Sequence, residues 1–136
     1  MGHLFIIHAM NDQLQRFVFD GTDIRGELVR LDQSYQDTLA AHQYPEVVAR
    51  LLGELLSAVV LLSATLKFEG TLVLQARSQG QIPIIMAEAT SDHKIRAIAR
   101  EADDANSSDF QTLLTDGQLS ITCLLYTSDA ADEEDS

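Results

Sequence analysis

Between Pro45 and Lys67 apolar residues recur at spacings of three and four, at Val48, Leu51, Leu52, Leu55, Val59 and Leu62. Glu46, Arg50, Gly53 and Ser57 form a polar or small stripe opposite. That period predicts a helix over about residues 45–67, with Pro45 at its first position, where the missing N–H would have no intrahelical partner. From Ala58 to Leu62 every position is apolar, which predicts a helix buried beneath other elements on all sides, with Leu55 and Val59 almost fully enclosed.

Elsewhere the period is two. "RFVF" (16–19) and "IRGELVRL" (24–31) flank Asp20-Gly21, a pair suited to positive φ, and predict a hairpin. Asp32 can then cap a helix from Gln33 to His42, with Tyr35 and Leu39 one turn apart on one face. "TLVLQAR" (71–77) sets Leu72, Leu74 and Ala76 on one side, and "KIRAIAR" (94–100) sets Ile95, Ala97 and Ala99 against Lys94, Arg96 and Arg100. "IPIIMAEA" (82–89) is a more continuous apolar run whose Pro83 suits an edge or the start of a strand. A short helical turn at 110–114 and a strand "QLSIT" follow. The order ββααβββ(α)β, with connections too short for parallel crossovers, predicts an α+β domain: an antiparallel sheet covered by helices, with a long buried central helix.

Composition supports one packed unit, since 46% of the 136 residues are apolar and only two are proline. A membrane span needs about 20 apolar residues. The stretch free of charge, Leu55 to Leu66, has 12, so a buried helix is the expectation. The net charge is −12, with five acids (Asp129, Asp132, Glu133, Glu134, Asp135) in the last eight residues, and this disfavours nucleic-acid backbones and anionic lipid surfaces as partners. "MGHLFIIHAM" lacks the basic flank and cleavage site of a signal peptide, and residues 1–10 read as an N-terminal extension upstream of a natural start at Met10.

Candidate chemistry is sparse. His3, His8, His42 and His93 neighbour neither one another nor the single cysteine, Cys123, at metal-ligand spacing. His42 lies at a helix end, where its ring can bond the last carbonyls. Arg25 and Glu27 share one face of a strand, as a cross-strand charge pair would. No GxSxG, GxGxxG or P-loop is present. An enzyme is therefore poorly supported; it would need a deep polar pocket converging on His42, His93 or Glu54.

Several strings carry a family likeness together: Arg25-Gly26-Glu27-Leu28; His42 with Tyr44-Pro45; Thr65-Leu66-Lys67-Phe68 after Ala64, with Gly70; and "LLTDGQLSIT" after "IRAIAR". Over about Asn11 to Thr122 the chain closely resembles the N-terminal domain of the bacterial heat-shock protein 33 family, the redox-regulated holdase chaperones. It departs from the family pattern at Gln79-Gly80-Gln81-Ile82-Pro83, where a QGDGP-like turn is usual, and at Ala97, where glycine is usual.

The resemblance implies a cytoplasmic, ATP-independent chaperone that binds unfolding client proteins under oxidative stress and is active as a homodimer. It also implies a C-terminal module in which four cysteines, in a CxC and a CxxC pair, hold zinc until oxidation releases it. None of those cysteines is in this sequence, so no metal or redox residue carries over and no cofactor is expected here. Residues 11–122 are thus expected to be an incomplete chaperone domain. Residues 123–136 read as a solvated acidic tail outside the family pattern, and "CLLYTSDAADE" also resembles one frame of a sequencing-library adapter, which would make that tail an artefact. The alternative is a small regulatory or protein-interaction domain without chaperone activity.

Overall fold

The computed structural model describes the strand Gly2–Ile6 and residues 11–126. Met10 and the acids from Asp129 to Asp135, to which the sequence assigns a start and a tail, lie outside the described residues. In chain order the elements are β1 (Gly2–Ile6), β2 (Gln13–Val18), β3 (Arg25–Arg30), α1 (Gln33–Ala40), α2 (Glu46–Thr65), β4 (Gly70–Arg77), β5 (Ile84–Thr90), β6 (Ile95–Arg100), α3 (Phe110–Leu113) and β7 (Gln118–Leu125). The fold is α+β with antiparallel strands, as the periodicities predict. The strands form two sheets rather than one, ordered β1-β2-β3 and β6-β5-β4-β7.

The β2–β3 hairpin turns at Gly21, whose φ of +77° is the left-handed conformation expected of the Asp-Gly pair, and Phe19 N–H donates to the Ile24 carbonyl across it at 3.0 Å. β5 is an internal strand, and Pro83 stands just ahead of it, where a missing N–H interrupts no ladder. β7 pairs with β4 from Gln118 through Leu125, so the strand runs three residues past Thr122.

The long helix is shorter than its apolar pattern suggests. Pro45 has a helical φ of −58° but an extended ψ of 155°, which makes it the residue before the helix and not its first turn. At the other end Leu66 is already extended, with φ −105° and ψ 138°.

α2 lies between the sheets. Its C-terminal half sets Leu56, Val59 and Val60 against Leu14 from the first sheet and Leu72, Leu74, Ala87 and Ala89 from the second. Its N-terminal half sets Val48 and Leu52 on Ala76, Ile82, Ile85, Ala99 and Leu113. The predicted alternation of β4 holds, because Leu72, Leu74 and Ala76 are all buried on the side facing the helix.

Two core expectations need correction. Val59 is fully buried, but Leu55 is only half-buried and Leu56 takes its place at 0% exposure. Nor is α2 enclosed on all sides, since Leu51, Leu55, Ala58, Leu61 and Leu62 are each partly open. By length and composition alone Glu46–Thr65 could cross a bilayer. Its packing between two sheets, with Val48, Leu52, Leu56 and Val59 sealed, is that of a core helix with one uncovered flank.

Candidate functional site

The elements that frame a site are tied together by residues remote in sequence. Asp32 occupies the N-cap position of α1 but makes no side-chain cap bond. Asp12, ahead of β2 and fully buried, does that work: its Oδ1 accepts from Asp32 N–H at 2.5 Å and its Oδ2 from Ser34 N–H at 3.1 Å. Two amide donors that a helix start leaves unpaired are thereby satisfied by a carboxylate, which also suits the positive end of the helix dipole. Tyr35 then donates its hydroxyl to the Ala49 carbonyl at 2.8 Å and fastens α1 to α2.

The family-like residues fall at three separate places. In β3, Glu27 faces α2 and its Oε2 accepts from Arg16 Nε at 3.1 Å, while Arg16 also donates to the Ala64 carbonyl near the end of α2. The charge partner of Glu27 is thus Arg16 across the hairpin; Arg25 stays exposed at the strand start. Glu27 is 7% exposed at its side chain, and among the described residues its Oε1 has no hydrogen-bond partner. Gly26 lies against the Phe17 ring, and Leu28 points to the outer face, 61% exposed. At the end of α2 the Thr65 hydroxyl donates to the Leu62 carbonyl at 2.8 Å, Leu66 and Lys67 are exposed, and Phe68 packs on the core. Gly70 passes so close to the Leu124 carbonyl that a side chain would collide with it.

The third place is the α1–α2 connection. His42 does not bond the last carbonyls of α1. Its Nε2 pairs with Asp103 Oδ1 at 2.8 Å across to the loop after β6, and its ring tilts against Tyr44 at 4.9 Å. The physical reason is that α1 ends at Ala40, so His42 is already beyond the helix and reaches sideways. His42 and His93 line the same open cleft between α1 and β6, of about 710 Å³, while Glu54 lies elsewhere. Both members of the His42–Asp103 pair are largely exposed, so it ties two loops at the surface and is worth little energetically. Among the described residues no hydroxyl or thiol is hydrogen-bonded to either imidazole.

What the fold does gather is apolar surface. In β7, Leu119, Ile121 and Cys123 stand in register with Ala76, Leu74 and Leu72, so they share the helix-facing side of the sheet. Yet α2 crosses mainly over β5 and β6. Leu119 and Ile121 are therefore 61% and 57% exposed on a face that is core elsewhere. Beside them a groove of about 610 Å³ runs between α2, α3 and β7, walled by Leu51, Leu55 and Ala58 and floored by Ala76 and Ile85. Phe110 stands at its rim, 59% exposed. The alternation of β7 is legible in "QLSITCLL", but its lack of cover is not.

Among the described residues no three His, Cys, Asp or Glu side chains converge to hold a metal ion, and the one cysteine, Cys123, is exposed on β7.

Among the described residues the fold is a two-sheet α+β domain with dispersed ion pairs, no assembled catalytic set and an exposed apolar face on β7. The profile of the family described as "Hsp33 protein" matches residues 12–134. Proteins named "33 kDa chaperonin" from Pseudomonas aeruginosa and Pseudomonas syringae pv. tomato are each 52% identical, over 114 and 113 residues. One from Ectopseudomonas mendocina is 50% identical over 115 residues. These stretches cover 82–83% of this chain but only 38–39% of each relative. The chain belongs to the Hsp33 family.

Proposed function

We propose that this chain is the client-binding part of an ATP-independent holdase, a chaperone that captures unfolding proteins in the cytoplasm during oxidative stress. The observation that carries this reading is the exposed apolar face of β7 beside the open flank of α2. Soluble monomers rarely expose large contiguous apolar patches, and those that do use them for binding. The names of the relatives agree with it. Binding rather than catalysis follows from the scattered histidines and the surface position of the His42–Asp103 pair.

With one cysteine, the chain has no thiolate cage through which oxidation could act. Among the described residues the apolar face of β7 is exposed, and the same surface supports self-association, a homodimer included. Thermally unfolding citrate synthase, followed by light scattering with and without the chain, tests this. Equal protection in dithiothreitol and in peroxide is the expected result; no protection in either refutes the holdase reading, and protection only after peroxide refutes the absence of a switch.

A further inference from the structure

We propose that Asp20 is a site of isoaspartate formation, and that the fold holds Asp116 back from the same reaction. The chain contains two Asp-Gly pairs, Asp20-Gly21 and Asp116-Gly117, and no Asn-Gly. Both share an intrinsic chemistry, because glycine has no side chain to shield its nitrogen. That nitrogen attacks Cγ of the aspartic side chain, a C–N bond forms, and a carboxyl oxygen leaves as water with the amide proton. Water then opens the cyclic imide. Opening at the main-chain carbonyl carbon leaves the chain running through Cβ and Cγ and frees an α-carboxylate. Mass and charge are unchanged, and no oxidant or cofactor is needed.

Local hydrogen bonding separates the two pairs. Asp20 and Gly21 are the central residues of a turn closed by Thr22 N–H on the Phe19 carbonyl at 3.2 Å. Both are exposed, and among the described residues neither main-chain N–H donates a hydrogen bond. The φ of +77° at Gly21 is that of a type II turn with glycine at its third position. Rotation of the peptide between Asp20 and Gly21, the motion that carries the nitrogen to Cγ, interconverts turn types and leaves the closing bond in place, since glycine accepts either sign of φ. The reaction therefore proceeds inside the folded hairpin.

Gly117 is placed differently. Its N–H is itself the closing donor of a turn, to the Leu114 carbonyl at 2.9 Å, and Asp116 stands at a φ of +53°. The next residue, Gln118, is already paired with Arg77 in the β4–β7 ladder. Rotating this peptide breaks the turn, so the same dipeptide is restrained.

The product adds one backbone atom to the turn at the end of the ladder in which Arg16 faces Glu27. Its free α-carboxylate is the substrate class of methyltransferases that use S-adenosylmethionine to return isoaspartate to aspartate. None of this depends on the client-binding reading.

The test ages the whole chain at neutral pH, in buffer and in urea, and scores each Asp-Gly peptide by electron-transfer fragmentation, which separates isoaspartate from aspartate of the same mass. In buffer Asp20 should convert about fivefold faster than Asp116, the factor contributed by one hydrogen bond that must open. In urea the two rates should converge. Asp20→Ala should remove most of the methyl groups that an isoaspartyl methyltransferase transfers to the aged folded chain; an unchanged methyl count overturns the inference. So do equal rates in buffer, a faster Asp116, or an Asp20 that converts in urea and not in buffer. A rate ratio that persists in urea overturns the part assigned to the fold, because the difference then belongs to the neighbouring residues.

Discussion

Leu56→Ala and Leu55→Ala, adjacent on α2, should differ severalfold in cost. Leu56 is fully enclosed by residues of both sheets, among them Leu14, Leu72 and Leu74. Truncation to alanine removes three buried carbons, about 2.4 kcal/mol at about 0.8 kcal/mol each. Because sheets hold the site on two sides and collapse is restricted, a cavity term raises this to about 3–4 kcal/mol. Leu55 is half-buried and faces the open groove. Its truncation forfeits about half the transfer energy and leaves no closed void, so about 1 kcal/mol is expected. In urea, with a slope of about 2 kcal/mol per molar, the midpoints should fall by about 1.5–2 M and about 0.5 M. Equal shifts, or a larger one at Leu55, would show that the helix faces the sheets with a different side.

Asp12→Ala strips the buried acceptor from two amides at the start of α1 and should cost about 2–3 kcal/mol, with faster amide exchange at Asp32 and Ser34 and little change elsewhere. Glu27→Gln keeps the size but removes the buried counter-charge of Arg16; a loss of about 1–3 kcal/mol, with weakened exchange protection around Ala64, is expected in urea and by NMR. Gly70→Ala forces a methyl against the Leu124 carbonyl, so the β4–β7 ladder should open at that end, seen as lost protection of Tyr126 N–H, which now donates to Glu69 at 2.8 Å. Zinc added at neutral pH should not survive dialysis at stoichiometric amounts by metal analysis, as one thiolate and scattered imidazoles form no cage.

How far the fold could be read from the sequence varied with the range of the interactions. The alternation of Leu72, Leu74 and Ala76 is local and predicts its buried face directly. The period of α2 is equally local, but apolar residues cover more than half its circumference, so the choice between Leu55 and Leu56 depends on where two sheets settle. Its composition says that it is buried without saying where the cover ends. Asp32 does sit at the N-cap of α1, but the capping carboxylate is that of Asp12, 20 residues upstream across a hairpin, where no local pattern signals it. His42 pairs 61 residues away, beyond any reading of helix ends.

The same distinction explains why the most recognisable strings do not mark the proposed binding surface. Arg16 and Glu27 anchor a hairpin to the end of α2, and Gly70 lets two strands approach. Each demands one residue type at one position, because a buried charge needs its partner and a close backbone approach needs the absence of a side chain. Such demands make motifs. Capture of many unrelated unfolded segments would impose no comparable demand: Leu119, Ile121 and Leu55 contribute area rather than a particular shape. A surface of that kind leaves only an apolar alternation in the sequence, indistinguishable there from a core strand. It becomes visible once the helix that would have covered it is seen to cross two strands away.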